Sequence, residues 1–345
     1  MSPADLLESL GTIGDSPEGI EQLRQLIFQL AVSGRLLPQD PNDEPASELL
    51  KKIEKKKAEL IRAKKIRNLK DQPSIVDSET PFQCPIGWIW CRFASVHLFT
   101  NGFTFKSTEY QETGIGIIRM SNLKNGMIET KDIKRVPKRY LKELSDDLQV
   151  HTGDLLIGMS GSIGEPSFNT TSEVFLLNQR VGKITPVICN EKFISFYLQT
   201  IKQRFLDIAS GTGIKNLSTK QIAESYFALP PLAEQHRIVV KVDELMALLD
   251  ELEQARDERD AHRVAFRDSA LSALQNVEDS EAVEAAWSRI ATNLADCITD
   301  PADIAPLRQT ILQLAVRGRL VPNVDSSECM FGDVIDIFGG YAFKS

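Results

Sequence analysis

The sequence predicts an α+β fold in which a domain of mixed strands is joined to a long antiparallel helical hairpin. Residues 81–230 alternate short apolar runs with turns rich in Gly, Asn and Ser, as strands and their connections do. Residues 231–299 instead carry an almost unbroken helical pattern. One helical segment also occurs twice, and an internal repeat of this kind indicates the order of the domains.

The repeated segment occupies Leu23–Pro38 (LRQLIFQLAVSGRLLP) and Leu307–Pro322 (LRQTILQLAVRGRLVP). Its apolar residues recur at steps of three and four, which is typical of a helix with one buried face. Gly34 and Gly318 stand where a residue of left-handed conformation would end each helix, and the proline that follows prevents the helix from resuming. The sequence therefore predicts two equivalent helices that each end at a glycine.

A second pair of similar segments follows the two helices. They are Phe93–Ser107 (FASVHLFTNGFTFKS) and Phe331–Ser345 (FGDVIDIFGGYAFKS). In both, alternating apolar residues lead into glycine, which predicts a strand and a turn. Because the elements come in the same order both times, we expect a second domain to begin after the second helix.

These patterns divide the chain into six predicted segments. They are an N-terminal helix at 1–40, a basic helical linker at 41–80, the mixed-strand domain at 81–230, a long helix at 231–275, a second long helix at 276–322 and the opening of a second domain at 323–345. The first long helix holds a heptad seam suited to packing against another helix. The seam residues are Ile238, Val242, Leu245, Leu249 and Leu252.

Three arginines interrupt this seam further along the same register, at Arg256, Arg259 and Arg263. One interpretation is that acidic groups or water surround them. The other is that the helix turns this face outward in mid-length, because a helix of 3.6 residues per turn drifts against a seven-residue repeat. The sequence leaves both interpretations open.

Charge is distributed unevenly along the chain. The formal net charge is −8, yet Lys51–Lys70 holds ten Lys or Arg residues and two Glu residues. As an arm that contacts nucleic acid, this segment would supply phosphate contacts and a strong salt dependence. As a solvated linker helix, it would keep its lysines in water while Leu49, Ile53, Leu60 and Ile61 dock on the domain's own surface. The apolar positions favour the solvated helix.

Composition and motifs argue against several classes of protein. No apolar run is long enough to span a membrane and the N-terminus lacks the order of a signal peptide, so we expect a cytoplasmic protein. The five cysteines form no C-x-x-C pair and are expected to be reduced. There is no phosphate-binding loop, zinc-binding helix or dinucleotide fingerprint, and no histidine lies in a catalytic motif. We therefore expect no catalytic residue, metal or cofactor.

Four small polar loops follow apolar strands within the mixed-strand domain, at 116–126, 153–166, 175–186 and 210–218. Arg and Lys suit guanine edges, Asn and Gln suit adenine, and Ser, Thr and Lys suit phosphates. One such loop is typical of an ordinary turn. Four such loops in one domain that lacks catalytic motifs favour a domain that recognises nucleic acid. The candidate residues are Arg119, Ser121, Asn122, Lys124, Ser160, Ser162, Asn178, Gln179, Arg180, Thr212, Lys215 and Asn216.

Three stretches of the chain resemble the specificity subunit of type I restriction-modification enzymes. They are GDLLIGMSGSIGEP (153–166), LNQRVGKITP (177–186) and ASGTGIKNLSTKQIAESYFALPPLAEQHRIVVKVDELMALLDELEQA (209–255). The duplicated LRQ-x-I-x-QLAV-x-GRL helices resemble that subunit too. The resemblance covers nearly the whole chain from Ile20 onward, and its most specific element is the ALPPLAEQHRIV junction into the long helix.

The resemblance implies a non-catalytic subunit with two target-recognition domains, each of which reads one half of a split site in double-stranded DNA. Long antiparallel helices would separate the domains as a ruler and recruit methylation subunits, and restriction subunits would join that complex. By this carry-over, 81–230 is the first target-recognition domain, and 231–275 and 279–318 form the ruler. Only the opening of a second domain follows, so the resemblance implies a subunit cut short after its first domain.

Two further expectations concern partners and alternatives. Half-length forms in this family can pair, so we expect that this chain is able to pair with itself. The main alternative is a module for assembly or regulation that binds the methylation subunits without reading DNA specifically. An enzyme with an unrecognised site is the remaining alternative, although the missing motifs argue against it.

Overall fold

The computed structural model describes residues 17–63, 72–76, 80–160, 163–210, 216–276, 280–293, 298 and 301–318. They separate into two compact units, and the division follows Glu251. The first unit combines helices with sheets, and the second unit is helical in its described part. This mixture of helix and sheet confirms the predicted fold class.

The elements are numbered here along the chain. The strands are β1 (Ile89–Arg92), β2 (His97–Asn101), β3 (Ile115–Ile118), β4 (Leu123–Lys124), β5 (Met127–Ile128), β6 (Lys134–Val136), β7 (Gln149–Val150), β8 (Leu155–Gly158), β9 (Pro166–Phe168), β10 (Phe175–Leu177), β11 (Val181–Pro186) and β12 (Tyr226–Leu229). The helices are α1 (Pro17–Val32), α2 (Ala46–Arg62), α3 (Phe93–Val96), α4 (Tyr140–Glu143), α5 (Glu191–Ser210), α6 (Thr219–Ala223), α7 (Leu232–Asn276), α8 (Ser280–Thr292) and α9 (Ile304–Val316). Short 3-10 helices lie at Ser107–Glu109, Met120–Asn122, Asp146–Leu148 and Pro301–Asp303.

The described strands form three sheets. A six-stranded sheet has the order β2-β11-β8-β9-β5-β4, a four-stranded sheet has the order β6-β3-β10-β7, and β1 pairs with β12. Most pairs are antiparallel, but β3 and β10 run parallel, with Ile117 opposite Leu176. Strand β10 is buried throughout, which suits an apolar run without alternation.

The core of the first unit lies on both faces of the four-stranded sheet. On one face Ile118 and Phe175 pack with Leu156 of the six-stranded sheet. On the other face Ile117 and Leu176 form a second cluster. The apolar strands predicted for the mixed-strand domain therefore meet in one layered core.

Helix α1 buries the face that the repeat predicts. Ile20, Leu23 and Ile27 are almost fully buried. The helix packs on α5, where the rings of Phe28 and Phe196 lie 5.3 Å apart. Gly34 has a φ of +68°, so the left-handed end predicted for this helix is confirmed.

Helix α2 docks on the first unit through a narrow apolar stripe. Leu49 and Ile53 are buried as predicted, whereas Leu60 and Ile61 are only half-buried. The remaining basic residues at 64–70 lie outside the described residues. For the described helix, the structure agrees with docking on the domain's own surface.

Lys57 departs from the prediction that the lysines of this helix face water, because it is buried. Its Nζ donates to the carbonyl oxygens of Ala94, of Ser95 at 3.2 Å and of His97 at 3.0 Å. These carbonyls lie at the end of α3, where backbone acceptors lack helical partners. Burial lowers the pKa of Lys57 to about 8. The lysine therefore satisfies backbone groups that the core would otherwise leave unpaired.

The first turns of α7 belong to the first unit. Glu234 accepts a hydrogen bond from Trp88 Nε1 at 2.8 Å, and Gln235 Oε1 accepts one from the backbone of Asn190 at 2.8 Å. Burial raises the pKa of Glu234. These contacts explain why the units divide inside α7 rather than at the predicted boundary after residue 230.

The seam predicted along α7 is partly buried. Ile238, Val242 and Leu249 are buried, and Leu245 and Leu252 are half-buried. The arginines that follow have acidic partners on the same helix. The contacts are Arg256 to Asp257 at 2.8 Å, Arg263 to Asp260 at 3.7 Å and Arg259 to Asp260 at 3.5 Å. The acidic partners fit the first interpretation, and the exposure of Arg259 fits a helix that turns this face outward.

The second unit contains the end of α7, with α8 and α9. Its core is built from Leu271, Leu274, Ile290 and Leu314. Gln275 donates to Thr310 Oγ1 at 2.7 Å, which ties α9 to α7.

The prediction of one continuous second helix over 276–322 was wrong, because two helices separated by a 3-10 turn occupy its described part. Pro301 begins that turn. Proline lacks an N–H group and disfavours helical backbone in the residue before it, so a helix does not run through it. Gly318 has a φ of +67°, which confirms the glycine end of the second repeat.

Among the described residues, no helix is long and apolar enough to cross a membrane. Cys84, Cys91 and Cys189 are free thiols.

We predict that the stability of the first unit falls below pH 6.5 because of His97. Burial, reinforced by the nearby Lys57 ammonium, lowers the pKa of this imidazole to about 3. The unfolded chain binds a proton near pH 6.5 whereas the folded chain does not, so the stabilising contribution is complete above pH 6.5 and is lost as the pH falls towards 3. The free energy of unfolding should decrease by about 1.4 kcal/mol per pH unit in this window.

Urea unfolding at pH 7.5 and 5.5, followed by the fluorescence of Trp88 and Trp90 in a Trp287→Phe background, measures this loss. His97→Gln is the control, because glutamine can still donate to the Phe93 carbonyl that His97 Nδ1 contacts at 2.7 Å. Equal pH dependence in the two proteins would contradict the assignment.

Candidate nucleic-acid interface

The parallel pairing of β3 and β10 brings two candidate loops to one edge of the four-stranded sheet. Arg119 follows β3, and Asn178, Gln179 and Arg180 follow β10. Parallel strands end at the same edge, so the residues after them become neighbours. The Asn178 backbone N–H donates to the Ile118 carbonyl at 3.1 Å and fixes this register.

Two more segments join this edge, one that follows β8 of the six-stranded sheet and one that precedes α6. The Met159 N–H donates to the Arg180 carbonyl at 3.0 Å, and the Leu217 N–H donates to the Met159 carbonyl at 2.8 Å. Ser160 and Asn216 form a β-bridge. Arg180 Nη1 also donates to Asn216 Oδ1 at 3.0 Å. Candidate residues that are far apart in the chain thus lie together.

The segment that leaves β2 completes the edge, and the sequence analysis did not identify it. The Gln179 N–H donates to the Phe103 carbonyl at 2.9 Å, and Thr104 Oγ1 donates to Gln179 Oε1 at 2.7 Å. A Cβ atom at Gly102 would lie 2.0 Å from the Asn178 carbonyl oxygen, so only glycine permits this approach. The signal that could have revealed it is the repeated segment Phe93–Ser107.

We call this edge the strand-end surface. It consists of Phe103, Thr104, Arg119, Met120, Ser160, Asn178, Gln179, Arg180 and Asn216. None of these residues is acidic and two are arginines, so the surface carries positive charge. Its side chains mainly offer N–H donors, which suit the acceptors on base edges and phosphates.

Exposure separates the members that a ligand can reach from those that support them. Gln179 and Arg180 are exposed, whereas Arg119 is half-buried. Ser160 and Asn178 are buried, and Ser160 Oγ contacts Met120 Sδ at 3.2 Å. The Arg119 Nε atom is buried without a hydrogen-bond partner among the described residues. Arg180 and Gln179 are therefore the most accessible of the predicted residues on this surface.

Two other predicted residues have structural partners that limit their availability. Asn122 is buried, its Oδ1 accepts from the Arg119 backbone at 3.0 Å, and its Nδ2 donates to the Glu129 carbonyl at 3.0 Å. Its amide therefore shapes the turn after β3. Lys124 is exposed, but it forms an ion pair with Glu129 that raises its pKa.

The remaining predicted residues divide by what the structure describes. Ser121 is exposed in the 3-10 helix beside Met120. Ser162, Thr212 and Lys215 lie outside the described residues. Within the described part of the chain, no three His, Cys, Asp or Glu side chains are grouped to hold a metal ion.

Residues 91–259 match the family model described as the type I restriction modification DNA specificity domain. The specificity subunit of the type I restriction enzyme EcoAI from Escherichia coli is 34% identical over 261 residues, which are 72% of this chain and 44% of that subunit. The EcoEI specificity subunit from Escherichia coli is 31% identical over 329 residues, which are 90% of this chain and 53% of that subunit. The chain thus spans about half the length of these relatives.

A solved HsdS subunit from Thermoanaerobacter tengcongensis is 17% identical, with a TM-score of 0.41 over 68% of this chain and 51% of that chain. The family model and the two Escherichia coli relatives agree on one family. The matched residues include the strand-end surface and the junction into α7. The chain belongs to the family of type I restriction-modification specificity subunits.

Proposed function

We propose that this chain is a non-catalytic subunit that reads the sequence of double-stranded DNA for a type I restriction-modification complex. The observation that carries the proposal is the strand-end surface, where five segments of the family-matched domain converge. Its exposed arginine and amide side chains are those that read base edges, and backbone contacts hold their positions. A DNA duplex would present its acceptors to Arg180 and Gln179, with Arg119 behind them.

The proposed complex contains methylation subunits bound to the chain and restriction subunits that join through them. Both curated relatives are named as specificity subunits of type I restriction enzymes, which supports this assembly. The exposed apolar residues of the helical part, including Phe266 and Leu312, offer surface for such contacts. Pairing of the chain with a second copy is a further part of the proposal, and the mass of the purified complex tests it.

Co-purification of the chain with its methylation subunit, followed by mapping of methylated sites in genomic DNA, tests the proposed function. A split methylated motif is the expected result. A complex that forms but methylates no defined motif would instead favour a module for assembly or regulation. Methylation by the purified chain alone would show that it is an enzyme.

We predict that Arg180→Ala relaxes the methylated motif at one or two base positions. Loss of a base contact costs about 1–3 kcal/mol of discrimination. The variant should still form the complex, because Arg180 is exposed. Methylation mapping measures the motif, and Arg62→Ala on the exposed side of α2 is the matched control. If the Arg180 variant methylates the same motif as the wild type, Arg180 does not read a base.

A separate prediction concerns the basic helix α2. Lys51, Lys52 and Lys56 pair with Glu48, Glu44 and Glu59 on the exposed side of the helix. We expect the triple alanine variant to bind DNA with the same dependence of affinity on salt as the wild type. If these lysines contact phosphates, the slope of log affinity against log salt will instead become shallower by roughly two to three.

A further inference from the structure

The chain carries one short motif twice, and only part of the first copy belongs to the strand-end surface. Gly102–Ser107 reads GFTFKS, and residues 340–345 read GYAFKS. The two copies differ only at their second and third positions, where both second positions are aromatic. A motif that is kept in two copies calls for a role that is the same in each.

The fold explains the glycine and the aromatic residues of the motif. Gly102 permits the close approach to the Asn178 carbonyl. Phe105 is buried, and its ring lies 5.0 Å from Phe103 and 5.2 Å from Tyr140. Packing therefore accounts for these positions. It does not account for Lys106 and Ser107, because both are exposed.

Lys106 is exposed and follows Thr104, a member of the strand-end surface, by two residues. Thr104 is exposed and bonded to Gln179, Phe105 is buried, and Lys106 is exposed again. Lys106 therefore adds an exposed positive charge two residues from a member of that surface.

The nearest acidic side chain along the chain is already occupied. Glu109 accepts a hydrogen bond from Arg139 at 2.9 Å and another from the Tyr140 hydroxyl at 2.5 Å. Within the part of the chain that the structure describes, Lys106 has no acidic group within ion-pairing distance. Its charge is available to a ligand.

We propose that Lys106, together with the Ser107 hydroxyl, binds a phosphate of the DNA backbone regardless of base sequence. This inference rests on the proposed function. Two copies of a recognition segment that face different bases still face the same sugar-phosphate backbone. Phosphate contacts fix the register of a protein on the duplex without carrying sequence information. A lysine and a hydroxyl retained in both copies match that chemistry.

The test is duplex binding by the chain co-purified with its methylation subunit, measured from 50 to 300 mM salt. The probes are the duplex that carries the mapped motif and a duplex of scrambled sequence. Lys106→Ala should weaken binding to both probes by a similar factor, on the order of threefold to tenfold near physiological salt. It should also make the salt slope shallower by about 0.9, and the methylated motif should stay the same.

Two further variants test whether the effects belong to the charge of Lys106 and to the hydroxyl of Ser107. Lys55→Ala removes an exposed lysine of α2 and should change neither affinity nor slope. Ser107→Ala should weaken binding to both probes without changing the slope, because a neutral hydroxyl releases no counterion.

The proposal is overturned if Lys106→Ala leaves the salt slope unchanged, or if it alters the motif, which would make Lys106 a base-reading residue. Failure of the proposed function gives a different result. In that case the wild-type complex itself would bind both duplexes equally or not at all.

Discussion

The parallel pairing of β3 with β10 is the interaction on which the strand-end surface of the mixed-strand domain depends. Most neighbouring strands of this domain are antiparallel, which places successive loops at opposite edges of a sheet. The parallel register of β3 and β10 puts the loop after Ile118 beside the loop after Leu177. Segments from β2 and β8 can then bond to that one edge. A surface built from five separate parts of the chain is thereby held together largely by backbone hydrogen bonds.

Local patterns predicted the helices well where the decisive forces are local. The glycine ends at Gly34 and Gly318 follow from backbone sterics alone, and both have positive φ. The stripe of Leu49 and Ile53 follows from helical periodicity. Lys57 could not be predicted in the same way, because its burial depends on carbonyl groups at the end of α3 that are distant in sequence.

The candidate surface was predictable in composition but not in geometry. Residue type and loop position identified Arg119, Gln179 and Arg180, which the fold brings together. The same reasoning included Asn122, whose amide is consumed by the turn that it closes, because residue type does not show whether a hydrogen-bonding group is already satisfied. Thr104 was missed because its role arises from a partner 75 residues away.

The bond between Thr104 and Gln179 has a consequence for how a target could be exchanged. The Thr104 hydroxyl occupies one of the two lone pairs of Gln179 Oε1 and so orients the amide, and a two-point match to adenine needs the remaining lone pair together with the Nε2 donor. Releasing Oε1 would cost about one neutral hydrogen bond, or roughly 1 kcal/mol. The Thr104 hydroxyl would therefore act as a selector, so that the base preference of Gln179 could evolve through substitution of a neighbouring residue.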